Sequence, residues 1–280
     1  MIVTLSEVLK DAKRNRYAVG LFNTVNLEMA KGVLAAAEES RSPVIIGTAE
    51  ILLPYAGLDD LASLLIPLAE KASVPVVVHF DHGLTEKAVR RAMDVGFSSI
   101  MYDCSIRSFS DNCRLVGDMV KLAHARGITV EGELGHVGAN ESSEKTAGDS
   151  SIYTEPEEAV RFERATGVDA LAVAIGTAHG AYKSTPKLDF ERLKTISSQV
   201  KAPIVLHGGS GLSEQDFRQA IACGVSKVNI FTDINCAAAK AAHDSYREGC
   251  GVTDLMPEIT EAVKQETLKK IRIFGSGGRA

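Results

Sequence analysis

The chain has 280 residues, 45% hydrophobic and 24% charged, an ordinary composition for a folded protein that excludes a disordered one. Lys and Arg total 31 against 36 Asp and Glu, a net charge of -5, so no basic excess exists to neutralise a nucleic-acid backbone. No run of 18 apolar residues suggests a membrane span, the charged N-terminus lacks a secretory apolar core, and five scattered cysteines without a CxxC pair argue against disulfides or a structural zinc cluster, so a reducing cytoplasm is expected.

Apolar runs alternate with helix-period segments along the chain. A strand over 17–22 precedes a helix over 27–39. PVIIG (43–47) is a second strand, with a helix over 58–72. PVVVHF (75–80) is the third, with a helix over 85–94. Residues 98–101 and 128–134 are strands four and five, separated by a helix over 111–126. A long polar loop leads to a helix over 156–166. Strands over 170–175, 203–207 and 227–231 follow, with helices over 190–199, 214–223 and 235–246. A last amphipathic helix covers 258–273.

These eight βα units of roughly 30 residues predict an α/β fold, a (β/α)8 TIM barrel. The whole chain, 1–280, is expected to be one domain with an extra C-terminal helix and a flexible tail. A doubly wound open sheet would carry GxGxxG after strand one, and LFNTVN has no such turn. The polar stretch ANESSEKTAGDSS (139–151) is expected to be a mobile loop over the barrel mouth.

In such a barrel the C-terminal ends of the strands line the active site. Here those ends carry polar groups in HFDHG (79–83), MYD (101–103), EGE (131–133), GTAHG (176–180), HGGSG (207–211) and NIFTD (229–233). His82, His179 and His207 converge on one mouth, and three neutral imidazoles with an open fourth position suit a catalytic zinc. The competing reading is three hydrogen-bonded rim histidines. Asp81 adjoins His82 and is either a general acid/base or a group that orients His82. Asp103 and Glu133 are further rim carboxylates, and Glu141 in the loop could enter on closure. His79 is expected to support the site from below. Gly208, Gly209, Ser210 and Gly211 precede a helix and leave backbone N–H groups open to a phosphate, with Thr232 supplied from the next loop.

The strings HFDHG, SSIMYDCS, VEGELGHVG, LAVAIGTAHGAY, PIVLHGGSGL and KVNIFTD, in that order, resemble the class II, zinc-dependent ketose-bisphosphate aldolase family, as do the opening AVGLFNTVNLE and closing FGSGGRA. The resemblance covers essentially the whole chain. It implies cleavage of a ketose 1,6-bisphosphate into dihydroxyacetone phosphate and an aldehyde. By motif position it makes His82, His179 and His207 the Zn2+ ligands, with Asp103 and Glu133 as ligands of an alternative buried position. It makes Asp81 the acid/base at the C4 hydroxyl and Glu141 the loop acid at the dihydroxyacetone carbon. Asn23 and Asn229 become substrate contacts. Gly180, Gly208, Ser210 and Thr232 match the phosphate region, which also takes a monovalent cation, Na+ or K+. Arg279 matches an arginine that reaches the distal phosphate in a neighbouring subunit of a homodimer or homotetramer. The loop reads ELGHVGANE where the family often has ELGxxGGxE. DHG stands where the tagatose branch has DHH. Together with FGS these resemble members acting on 1-phosphates of sugars or sugar acids.

A Schiff-base aldolase would need a lysine on a central strand; 171–175 has none, and Lys227 is expected at the start of strand eight. A zinc hydrolase is disfavoured by the phosphate turn and the absence of an HxH pair on strand one. A sugar-phosphate-binding regulatory subunit is the non-enzymatic alternative.

Overall fold

Eight parallel strands close on one another: β1 (Val19–Asn23), β2 (Val44–Ala49), β3 (Val76–Gly83), β4 (Ser99–Tyr102), β5 (Thr129–Leu134), β6 (Ala170–Val173), β7 (Ile204–Leu206) and β8 (Val225–Ile230), which pairs back with β1. The structure is a computed structural model. It describes residues 1–135, 138–139, 153–179 and 186–280, without the side chains of 138–139 and 178–179. The helices are α1 (Leu5–Asn15), α2 (Leu27–Ser40), α3 (Leu58–Lys71), α4 (Glu86–Asp94), α5 (Phe109–His124), α6 (Pro156–Thr166), α7 (Phe190–Gln199), α8 (Glu214–Ala222), α9 (Thr232–Ser245) and α10 (Val252–Phe274). Gly138–Ala139 pairs with Ala178–His179 as a separate two-stranded sheet. Among the described residues no helix is long and apolar enough to cross a membrane, and all five cysteines are free.

The strands are continuous apolar runs because both of their faces are covered. Outward-facing Phe22, Ile46, Val78, Phe80, Ile100 and Val130 pack beneath the helices. Inward-facing Val19, Leu21, Ile45, Val77, Ala170, Ala172 and Val205 form a second cluster in the lower barrel.

That inner cluster is closed from below by α1, for which the sequence reading had no element. Leu5, Val8, Leu9 and Ala12 recur at helical spacing and plug the N-terminal end of the barrel. Glu7 accepts from the Thr4 amide at 2.7 Å, which fixes the start of α1, and the Leu5 amide donates to Thr129 Oγ1 at 3.1 Å.

Three boundaries differ in ways that bear on the site. β3 continues past Phe80 to Gly83, carrying Asp81 and His82 within the strand. β8 begins at Val225, so Lys227 lies inside the barrel wall rather than at its lower edge. α9 begins at Thr232, which puts Thr232 in a helical first turn. α10 also starts earlier, at Val252, running through Pro257 with the Gly251 amide held by Asp254 at 2.7 Å. It packs on α2 at Gly32, where a Cβ would meet Thr260 O at 2.7 Å.

The C-terminal tail is pinned, not flexible. The Gly278 and Ala280 amides donate to Ser40 O and Arg41 O, both at 2.9 Å, and Ser276 Oγ lies 2.8 Å from Ser42 Oγ. Within its own chain the Arg279 guanidinium sits 5.3 Å from the Tyr17 ring centroid, over the end of the barrel where Tyr17, Pro43 and Pro75 precede their strands.

Candidate active site

The upper barrel interior is polar where the lower is apolar. Alternation along each strand aims Asn23, His79, Asp81, Glu131, Glu133, Lys227 and Asn229 inward, and all are buried. His207 follows β7 directly and is fully buried.

Asp81 is held at both oxygens. Asn23 Nδ2 donates to Oδ2 at 2.7 Å and Asn229 Nδ2 to Oδ1 at 2.9 Å. Burial opposes the charge of Asp81. The nearby His82, Lys227, His207 and His79 outweigh burial and hold the carboxyl far below its ordinary range. It is therefore an oriented, ionised acceptor.

His82 is placed by a backbone exception. Its φ is 41°, in the left-handed region, and the β3–β4 register shifts between Phe80 and Gly83. A non-glycine residue in this region costs of order 1–3 kcal/mol and persists only where its surroundings enforce it. Gly83 completes the bend: a Cβ there would sit 2.6 Å from Met101 O and 2.4 Å from Val89. Without this kink the alternation of β3 would send ring 82 outward, opposite Asp81.

The two histidine rings meet at the mouth. His82 Nδ1 lies 2.9 Å from Asp103 Oδ2, and its Nε2 lies 2.7 Å from His207 Nδ1. His207 Nε2 is 2.7 Å from Glu131 Oε1, and its Nδ1 is 3.4 Å from Glu133 Oε2. Burial would depress His82, but the Asp81 charge, the Asp103 hydrogen bond and the Glu133 charge lift it to about 10. Burial and the His82 charge instead keep His207 below its usual value. Two ring nitrogens at such a distance share a proton, so one ring donates its N–H to the lone pair of the other.

Below this pair, His79 Nδ1 contacts Ser99 Oγ at 2.8 Å, and burial pushes His79 down to about 3. It stays neutral. In the loop that follows His207, Ser210 Oγ accepts from the amides of Phe231 at 3.3 Å and Asp233 at 3.4 Å. Ser210 thus ties the glycine turn to the first turn of α9, which contains Thr232. Gly208 and Gly211 have φ of 64° and 88°, so the turn needs glycine there. Glu141 and Gly180 lie outside the described residues. His179 is placed in its two-residue strand, and its ring lies outside them too.

A family model for class II fructose-bisphosphate aldolase matches residues 3–279. The chain belongs to the class II fructose-bisphosphate aldolase family. It is 39% identical to a fructose-bisphosphate aldolase of Geobacillus stearothermophilus, over 100% of this chain and 99% of that one. It is 42% identical to the uncharacterized protein YdjI of Escherichia coli K12, over 96% of each. The crystal structure of the E. coli YdjI aldolase superposes with a TM-score of 0.91 at 38% identity, covering 100% of both chains.

The protein is thus a carbon–carbon lyase. As a class II aldolase it is metal-dependent, and the residues at its mouth fit an ion. Asp81, His82 and His207 each offer a ligand atom within 4.8 Å of one another, as do His82, Asp103 and Glu133. The Asp103 and Glu131 contacts occupy one nitrogen of each ring and leave His82 Nε2 and His207 Nδ1 converging. A Schiff-base aldolase would use a strand lysine. The described strands hold one, Lys227, and its Nζ is engaged by Glu131 Oε2 at 2.8 Å and Asn229 Oδ1 at 2.7 Å. Sequence reasoning passed over Glu131 and Lys227 as site residues. The signal for Lys227 is present in the sequence: a lysine two residues before Asn229, on the same face of the strand.

Proposed function

We propose that this aldolase cleaves a ketose 1-phosphate, with or without a second phosphate, reversibly into dihydroxyacetone phosphate and an aldehyde. The observation that carries the reading is the carboxylate of Asp81, fixed by Asn23 and Asn229 beside the His82–His207 pair. A Zn2+ held by His82, His207 and, by motif position, His179 would supply Lewis acidity toward the ketose carbonyl. Asp81 takes the C4 hydroxyl proton as the C3–C4 bond breaks and returns it in condensation. Glu141 delivers the proton to the carbon left on the dihydroxyacetone fragment. Asp103 orients His82, and Asp103 and Glu133 would hold the ion in an alternative position.

Gly180, Gly208, Ser210 and Thr232 hold the 1-phosphate, aided by the first turn of α9 and by a Na+ or K+ ion, which fixes the reacting carbons in register. Asn23 and Asn229 contact the dihydroxyacetone moiety as well as Asp81. Arg279 of a neighbouring subunit meets the distal anion, a phosphate or a carboxylate.

Condensation of dihydroxyacetone phosphate with a panel of neutral, phosphorylated and acidic aldehydes tests the reading. Turnover with at least one class, slowed by about two to four orders of magnitude in Asp81→Ala, is expected. No condensation with any aldehyde by zinc-loaded protein would overturn it. Arg279→Ala should raise KM for aldehydes with a distal anion and spare neutral ones; equal losses on both would assign Arg279 to the packing of the tail alone.

A further inference from the structure

Lys227 is completely buried in the barrel interior. A lysine is almost never so placed unless paired, and burying an ion pair often gives no net stability. What its ammonium touches indicates its use. We propose that Lys227 is a positioning residue that, through two arms, one hydrogen bond and one buried ion pair, fixes the Asn229 amide beneath Asp81 and the ring tautomer of His207.

The first arm runs through Asn229. The Lys227 ammonium is a donor only, and it donates to Asn229 Oδ1 at 2.7 Å. That contact decides which end of the amide is which. Nδ2 is left to donate to Asp81 Oδ1 at 2.9 Å. The reversed amide would set an oxygen against the carboxylate and an NH2 against the ammonium, two unfavourable contacts at once.

The second arm runs through Glu131. Lys227 Nζ lies 2.8 Å from Glu131 Oε2, and Oε1 of the same carboxylate lies 2.7 Å from His207 Nε2. An ionised carboxylate only accepts, so Nε2 carries the ring proton and Nδ1 carries the lone pair. Nδ1 is the atom that faces His82 Nε2 at 2.7 Å. A single side chain thus sets both the proton acceptor of the reaction and one metal-facing nitrogen. This rests on the proposed roles of Asp81 and His207; the readouts below separate the two.

In ion-free wild-type protein, long-range 1H–15N correlation of the imidazoles should find His207 as the Nε2–H tautomer; the Nδ1–H tautomer would overturn the inference. Lys227→Met should weaken zinc binding, measured by chelator competition, by about 10–100-fold, the usual range for a residue supporting a ligand. Its kcat should fall with little change in KM. If the unpaired Glu131 prevents folding, Lys227→Met/Glu131→Leu removes both charges and should have the same zinc and kcat defects. Folded variants with wild-type zinc affinity and kcat would reduce Lys227 to a packing role. Failure of wild-type protein to bind zinc or to condense dihydroxyacetone phosphate would instead strike the proposed function and leave the tautomer assignment standing.

Discussion

His82 Nε2 and His207 Nδ1 face each other at 2.7 Å, with Asp103 behind one ring and Glu131 behind the other. The carboxylates around the pair demand a positive charge, and His82, lifted to about 10, supplies it as a proton. An ion held by His82 Nε2 would displace that proton, because a ligating imidazole must be neutral. Below about pH 10 zinc binding should therefore release about one proton from His82. Calorimetry at pH 7.5 in two buffers of different ionisation enthalpy measures it. Apparent affinity should rise about tenfold per pH unit while one proton is exchanged. Binding heats independent of buffer would show that the ion does not use His82.

Asp81→Ala should slow cleavage by about two to four orders of magnitude, the range for a lost general acid/base. Zinc content should stay near normal. Exchange of the dihydroxyacetone phosphate proton with solvent should survive, because that step is assigned to Glu141. Loss of zinc along with activity would make Asp81 a support of the ion.

α1 is a structural plug remote from the mouth. Leu9 is fully buried within the lower cluster. Leu9→Ala should cost about 2–5 kcal/mol of stability, the range for a large-to-small core change. Denaturant unfolding measures this, and kcat at low temperature should be unchanged. A loss below 0.5 kcal/mol, on the order of a surface substitution, would show that α1 does not close the barrel.

The barrel was legible because its strands are short apolar runs at regular spacing, and the helix bounds of α6 and α7 were read to the residue. α1 is short and precedes the first strand, so no βα repeat marks it, although Leu5, Val8, Leu9 and Ala12 keep helical spacing. The start of α10 is not legible because Pro257 reads as a helix boundary, whereas the helix runs through it from Val252. At the site, residue types named His82, His207 and Asp81. They did not reveal the left-handed kink at His82 or the pairing of Lys227 with Glu131. Those depend on strand register and on which residues share the barrel interior, and neither is written in a local motif. The tail was misjudged for a related reason: its glycines suggested freedom, whereas main-chain bonds to Ser40 and Arg41 fix it.

The central claim is that turnover depends on an ion held by the histidines at the mouth. The direct measurement is cleavage rate against zinc content in one preparation, stripped with a chelator and then reloaded stepwise, with His207→Ala alongside. Activity should vanish on stripping while the circular-dichroism spectrum persists, return in proportion to zinc bound to about one ion per chain, and never appear in His207→Ala. Full activity in the stripped wild-type protein would contradict the account.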